Sequence, residues 1–166
     1  ASSARRSAAS SVWALASDGG GEPEPILNAG VYVDEPHVSP DGRWLAYAST
    51  ESDRSEVYVE PFRREGDRVR VSVDGGGQPK WRGDGRELFF AGLDGRLMSV
   101  GFRFVADRPE VDLPKALFPI GGFSGPNYDD YAPSADGQRF LVKVAVDKGQ
   151  PTRMHVVTNW PSLVER

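Results

Sequence analysis

"EPHVSPDGRWLAYAS", Glu35 to Ser49, sets a Pro-Asp-Gly corner directly before an alternating apolar run. Two further stretches take the same pattern when placed in register on their Asp-Gly pairs: "QPKWRGDGRELFF", Gln78 to Phe90, and "DYAPSADGQRFLV", Asp130 to Val142. The anchors are Asp41-Gly42, Asp84-Gly85 and Asp136-Gly137, 43 and 52 residues apart. After each pair come one or two polar residues and then an apolar segment: Leu45-Ala46-Tyr47, Leu88-Phe89-Phe90 and Phe140-Leu141-Val142.

The corner has a physical reason. Pro40 presets φ for the second position of a type I turn. The Asp41 carboxylate can accept nearby backbone N–H groups. Gly42 takes a positive φ that a residue with Cβ resists. In the other copies the proline position is Gly83 and Ala135, while Asp and Gly stay. Asp41, Asp84 and Asp136, with Gly42, Gly85 and Gly137, are therefore read as structural turn residues rather than as an acidic triad. A period of about 40–50 residues, with a strand after a fixed turn, points to propeller blades of four strands each.

The rest of each unit follows. "EVYVEPF" reads as a strand with Val57 and Val59 on one face and Tyr58 on the other. "DRVRVSV" alternates Val69, Val71 and Val73 against Arg68, Arg70 and Ser72. "DGGGQP" closes the unit. In the next one, "ELFFAG", Asp94-Gly95 and "RLMSVGF" predict a tight hairpin with a type I′ turn, and "KALFPI" an outer strand. The last unit offers "QRFLVKVAV" and "TRMHVVTNW". At the front, "SVWALAS" is similar to "EVYVEPF", so the chain enters in mid-blade, with "EPEPIL" as a weak outer strand. No dozen residues carry a 3.6-residue apolar stripe, so almost no helix is expected. The fold class is all-β: a partial β-propeller of about three four-stranded antiparallel blades, the first and last incomplete. Residues 1–10 read as a flexible lead-in, 11–160 as blades and 161–166 as a tail.

Composition bounds the function. The 166 residues include 39% hydrophobic and 27% charged ones, ordinary for a globular domain with its own core. The net charge of −4 leaves no basic field for phosphate backbones, which argues against nucleic acid. The absence of cysteine removes disulfides, thiolate metal sites and a Cys nucleophile. No apolar run approaches the roughly 20 residues that span a bilayer. "ASSARRSAAS" is not an intact signal peptide, since no apolar core follows it.

"SPDGRWLAYAS…EVYVEPF", "GGGQPKWRGDGRELFF" and "SADGQRFLV" resemble the TolB-like propeller repeats of bacteria. The likeness extends to propellers at the C-terminal end of bacterial eukaryotic-type serine/threonine kinases and covers about Ser11 to Trp160. It implies a sensor or interaction role, an extracytoplasmic or periplasmic setting, and six or seven blades where this chain holds roughly three. No glycine-rich nucleotide loop, His-Arg-Asp loop or Asp-Phe-Gly is present, so kinase activity does not carry over.

Few residues suggest chemistry. His37 lies before the first corner, where the other copies have Lys80 and Ala132, and reads as a channel-facing or surface group; His155 reads as structural. "GGFSGP" around Ser124 lacks the final glycine and the helix of a nucleophile elbow. Asn127, Tyr128, Asp129 and Asp130 could offer oxygen to a hard cation but lack D-x-D-x-D-G spacing. No metal, cofactor or catalytic residue is expected. Trp44, Tyr47, Trp81, Phe89 and Phe90 fit packing between blades. Topology nominates His37, Lys80, Tyr128, Asp129 and Asp130 as partner-binding residues of a central funnel.

A propeller removes its edges by closing its ring. Strands counted as two, four, four and three leave an open edge and a bare apolar face at each end. The expectation is a non-catalytic interaction or scaffold module that binds a protein or small ligand. It would complete its ring with a second copy, as a dimer of about six blades, or with the remainder of a larger propeller. The alternative is an accessory propeller of a hydrolase or kinase whose catalytic domain is elsewhere.

Overall fold

The computed structural model describes residues 9–27, 30–105, 108–121 and 129–144, and the backbone of 155–158. Four sheets follow one another along the chain. The first pairs β1 (Val12–Ala14) with β2 (Glu24–Leu27). The second runs β3 (Val33–Val38), β4 (Trp44–Ser49), β5 (Glu56–Pro61) and β6 (Val69–Arg70). The third contains β7 (Gly76–Trp81), β8 (Glu87–Gly92) and β9 (Arg96–Val105), with β10 (Arg108–Val111) and β11 (Lys115–Pro119). The fourth is β12 (Tyr131–Pro133), β13 (Arg139–Val142) and β14 (His155–Thr158). Every pairing is antiparallel, and each sheet keeps its strands in sequence order from the inner edge outward.

The third sheet is one blade, not a larger unit. β10 lies along the second half of β9 (Val111 opposite Phe102) and β11 along the first half (Lys115 opposite Ser99). Together they form a single fourth strand, broken at residues 112–114. Among the described residues the first sheet supplies two strands and the last three, so the first and last blades are incomplete, as expected.

The corners behave as their residues require. At each, Gly N–H donates to the carbonyl three residues back: Gly42 to Ser39 (2.8 Å), Gly85 to Arg82 (2.9 Å) and Gly137 to Ser134 (2.9 Å). The Asp carboxylates accept the N–H two residues on, from Arg43, Arg86 and Gln138. All three glycines sit near φ +70°. The Arg82 guanidinium holds the Asp84 carboxyl down at about 2.

Two local expectations are corrected. The Asp94-Gly95 hairpin is not type I′: Gly95 N–H bonds Gly92 O and Gly95 has φ +81°, but Asp94 has no positive φ. This is a three-residue loop, a type I turn closed by one left-handed glycine, which needs a single Cβ-free position instead of two. The alternation of "DRVRVSV" also stops at Arg70. Val71 is buried but Val73 is 52% exposed. The cause is Ser72, which turns inward: its hydroxyl accepts Val57 N–H (2.8 Å) and donates to the Glu56 carboxylate, replacing the backbone ladder.

Packing follows strict alternation about the blades. In β4, Leu45 and Tyr47 face the first sheet, joining Leu27, Val33 and Tyr58. Trp44 and Ala46 face the third, against Trp81, Leu88, Phe90 and Phe102. In β8, Phe89 and Ala91 point the other way and pack with Phe140 and Tyr131 of the fourth sheet. The aromatics predicted to pack between blades do so, with Phe89 and Phe140 edge-to-face at 4.9 Å. Each complete blade is thus buried on both faces, and β4 has no exposed residue.

Candidate functional site

The inner strands β3, β7 and β12 bring polar side chains of three blades to one place. Pro36 and Pro79 follow Glu35 and Gln78, which hold φ values of +54° and +56°. The ladder shifts register at the same points, between Asp34 and His37 and between Gly77 and Lys80. Each is a bulge that turns a long polar side chain toward the neighbouring blade. A left-handed conformation costs a residue with Cβ about 1–2 kcal/mol, so something must hold it there.

What holds it is a ladder between blades. Glu35, Gln78 and Asp130 occupy the same place before their corners, six residues ahead of each Asp. The Glu35 carboxylate accepts the N–H of Gln78, and the Gln78 side-chain carbonyl accepts the N–H of Asp130 (2.9 Å). So the side chain at this position in each of the first two repeats accepts the N–H of the matching residue in the next. Gln78 Nε2 also donates to Asp130 Oδ2 (2.8 Å), and Tyr131 Oη donates to Gln78 O (2.6 Å). Trp81 Nε1 adds a bond to His37 O at 3.1 Å, again across blades. Gln78 and Asp130 are 1% and 2% exposed, so these bonds work where water cannot replace them.

Around this ladder opens a cleft of about 480 Å³, lined by Glu35, Pro36, His37, Gln78, Pro79, Lys80 and Asp129. The expected funnel residues His37, Lys80 and Asp129 do meet here. Lys80 Nζ bonds Asp129 Oδ1 at 2.5 Å and lies 5.6 Å from the Tyr131 ring centre. Burial, with the Lys80 charge, lowers the His37 pKa and favours neutral imidazole. Burial raises the Glu35 carboxyl to about 7, outweighing the bond from Gln78. Glu35 Oε1 is buried without a hydrogen-bond partner. Asp130 takes a different place: it lies inside, bound to Gln78 and to Lys143 Nζ (3.0 Å). Tyr128, Asn127 and Ser124 lie outside the described residues, as does the side chain of His155. Among the described residues no group of three His, Cys, Asp or Glu is placed to hold a metal ion.

Sequence reasoning passed over Glu35 and Gln78. Their signal was present in the register: an acid or amide followed by proline, at the head of two aligned copies. Composition gave no reason to single them out, because their partners lie 43 and 52 residues away.

The last blade shows what is uncovered. In register, Leu141 takes the place of Ala46 and Phe89. Both of those are fully buried by the following blade, whereas Leu141 is 50% exposed. In β1 of the first sheet and just after that strand, Trp13 (52%) and Leu15 (71%) are exposed as well.

No protein-family model matches the chain, and no curated protein matches it. Solved structures do. A candidate TolB from Agrobacterium tumefaciens aligns at 20% identity and a TM-score of 0.53, over 88% of this chain and 51% of that one. A candidate 6-phosphogluconolactonase from Bacteroides uniformis aligns at 15% identity and 0.50, over 89% and 49%. TolB from Acinetobacter baumannii aligns at 17% and 0.47, over 90% and 46%. The chain therefore spans about half the length of the solved structures it matches. The matches at TM-scores of 0.53 and 0.50 establish the fold, a partial β-propeller of the kind seen in TolB-like proteins.

Proposed function

We propose that the chain is a non-catalytic propeller module that works by binding: its bare blade faces pack against further blades, and its channel cleft receives a protein or small ligand. Leu141 carries the reading. A half-exposed leucine at a register position where Ala46 and Phe89 are fully buried marks a face built to be covered. The covering blade belongs to a second copy or to the remainder of a larger propeller. Two groups of the cleft support the non-catalytic part, because they hold structure: Glu35 Oε2 accepts Gln78 N–H, and Lys80 is paired with Asp129. Enzyme-accessory roles, including one beside a kinase, rest on the sequence resemblance alone. So does an extracytoplasmic or periplasmic setting; no described helix is long and apolar enough to cross a membrane.

The cysteine-free sequence makes the test clean. Leu141→Cys is introduced into the protein as expressed in its host and labelled with a maleimide, beside Glu65→Cys, an exposed control. Protection of position 141, released by denaturant, is expected. Light scattering on the same sample then tells a second copy from a covering blade of the same chain. Labelling of native Leu141→Cys as fast as the control overturns the proposal.

A further inference from the structure

We propose that the groove between the second and third blades, at the end opposite the Asp-Gly corners, docks a peptide segment that places an apolar side chain beside a lysine or arginine. The groove lies between residues 73–75, which lead from β6 into β7, and residues 92–94, at the end of β8 and the start of its turn into β9. It shares no residue with the channel cleft. It is also remote in register from Leu141, so it stands or falls separately from the reading above.

The cavity holds about 380 Å³. Phe90 and Met98 line it from within the interblade core. Val73, Leu93 and Leu113 line it at the surface, exposed by 52%, 41% and 80%. Single exposed apolar residues are normal on a protein surface, but three large ones around one cavity are the mark of an association site. The glycines shape the wall of the groove. A Cβ at Gly75 would lie 2.4 Å from Leu93 Cδ1, and one at Gly76 would lie 2.6 Å from Phe90 Cδ2. The backbone therefore runs directly against Leu93 and Phe90, and no side chain of its own fills the trough. This gives "DGGGQP" a role beyond closing a unit.

Charge selects the occupant. Asp74 and Asp94 line the groove, both exposed, and among the described residues no basic side chain lines it. Asp94 Oδ1 accepts Arg96 N–H at 3.0 Å, which fixes the carboxylate at the rim. The nearby Arg54 is committed elsewhere: Nη2 donates to Val73 O (2.7 Å) and Nε to the Glu56 carboxylate (2.6 Å). A segment entering the groove meets an apolar floor and a negative rim. An aliphatic or aromatic side chain fills the first, and an adjacent cation answers the second. The apolar contact supplies most of the affinity, since exposed ion pairs contribute little and mainly set orientation.

The probe is a phage-displayed library of linear dodecapeptides, selected on the whole protein. Enriched sequences are expected to pair Leu, Ile, Met or Phe with Lys or Arg. Synthetic copies should bind at least tenfold more weakly to Leu93→Glu and to Leu113→Glu; the latter residue is the most exposed of the three and the variant least able to disturb folding. Asp74→Lys with Asp94→Lys should weaken binding at least fivefold at low salt and remove its salt dependence. Peptides without the apolar-basic pair, or binding indifferent to both leucine variants, overturn the site. Unchanged binding to the doubled lysine variant overturns the assignment of a basic partner.

Discussion

Gln78→Glu isolates the ladder, because the two side chains have nearly the same shape and differ where Nε2 meets Asp130. That nitrogen donates to Asp130 Oδ2 at 2.8 Å inside the protein. The substitution replaces a charge-assisted donor with an oxygen. Loss of such a bond costs about 1.5–3 kcal/mol. Two ionised carboxylates at that distance would add about 6 kcal/mol of repulsion at an effective dielectric of 20. The pair escapes part of this by sharing one proton, as close carboxylates do. The expected net loss is about 3–5 kcal/mol at pH 8. The sign with pH follows: the folded variant binds a proton that the unfolded chain does not, so its deficit shrinks as pH falls, by up to about 1.4 kcal/mol per unit. Gln78→Ala is the control. It loses both side-chain bonds and leaves the Asp130 N–H buried without its acceptor, at about 2–4 kcal/mol, but adds no charge. Urea unfolding followed by tryptophan fluorescence at pH 5, 6.5 and 8 reads all three proteins. A Gln78→Glu deficit below about 1 kcal/mol at pH 8, or one that does not change with pH, would refute the ladder as a source of cohesion between blades.

Two further outcomes follow from single groups. Burial lifts the Glu35 carboxyl to about 7, well above its value in an unfolded chain, so the folded protein holds a proton between those values and loses stability as pH rises through them. Because the side chain keeps part of its hydration, the loss from pH 5 to 8 is about 1–2 kcal/mol, and Glu35→Gln should abolish it while still accepting Gln78 N–H; an unchanged pH profile by urea titration argues against the shift. Among the corners, Gly42→Ala meets open space and should cost only its backbone strain, about 1 kcal/mol. Gly137→Ala places a Cβ 2.7 Å from Arg82 Cδ and 3.1 Å from Phe89 Cζ, so it should cost distinctly more, and equal thermal shifts for the two would contradict that packing.

Much of this molecule is written locally. An Asp-Gly pair dictates its corner through bonds that span two and three residues, so three copies of it place three inner hairpins. Alternation along β4, β5 and β8 tells which side chains face which neighbour, because a strand has period two wherever it lies. The strand count of two, four, four and three therefore stood in the chain before any coordinates. The missed details are those in which a side chain overrides its backbone. Ser72 takes over a ladder bond, one left-handed glycine closes the loop after Asp94, and the fourth strand of the third blade is broken at residues 112–114.

The amino-acid order by itself determined a cysteine-free, all-β chain of repeated four-stranded blades and the position of every corner. Only the tertiary structure decided that Glu35, Gln78 and Asp130 form one hydrogen-bonded line, that His37, Lys80 and Asp129 share a cleft while Asp130 is drawn inside, and that Val73, Leu93 and Leu113 surround a single groove. The physical reason is range. Turn chemistry and strand periodicity act over two to five neighbours, but a bond from one blade to the next depends on how two sheets stack, and no short stretch of sequence records that angle or distance.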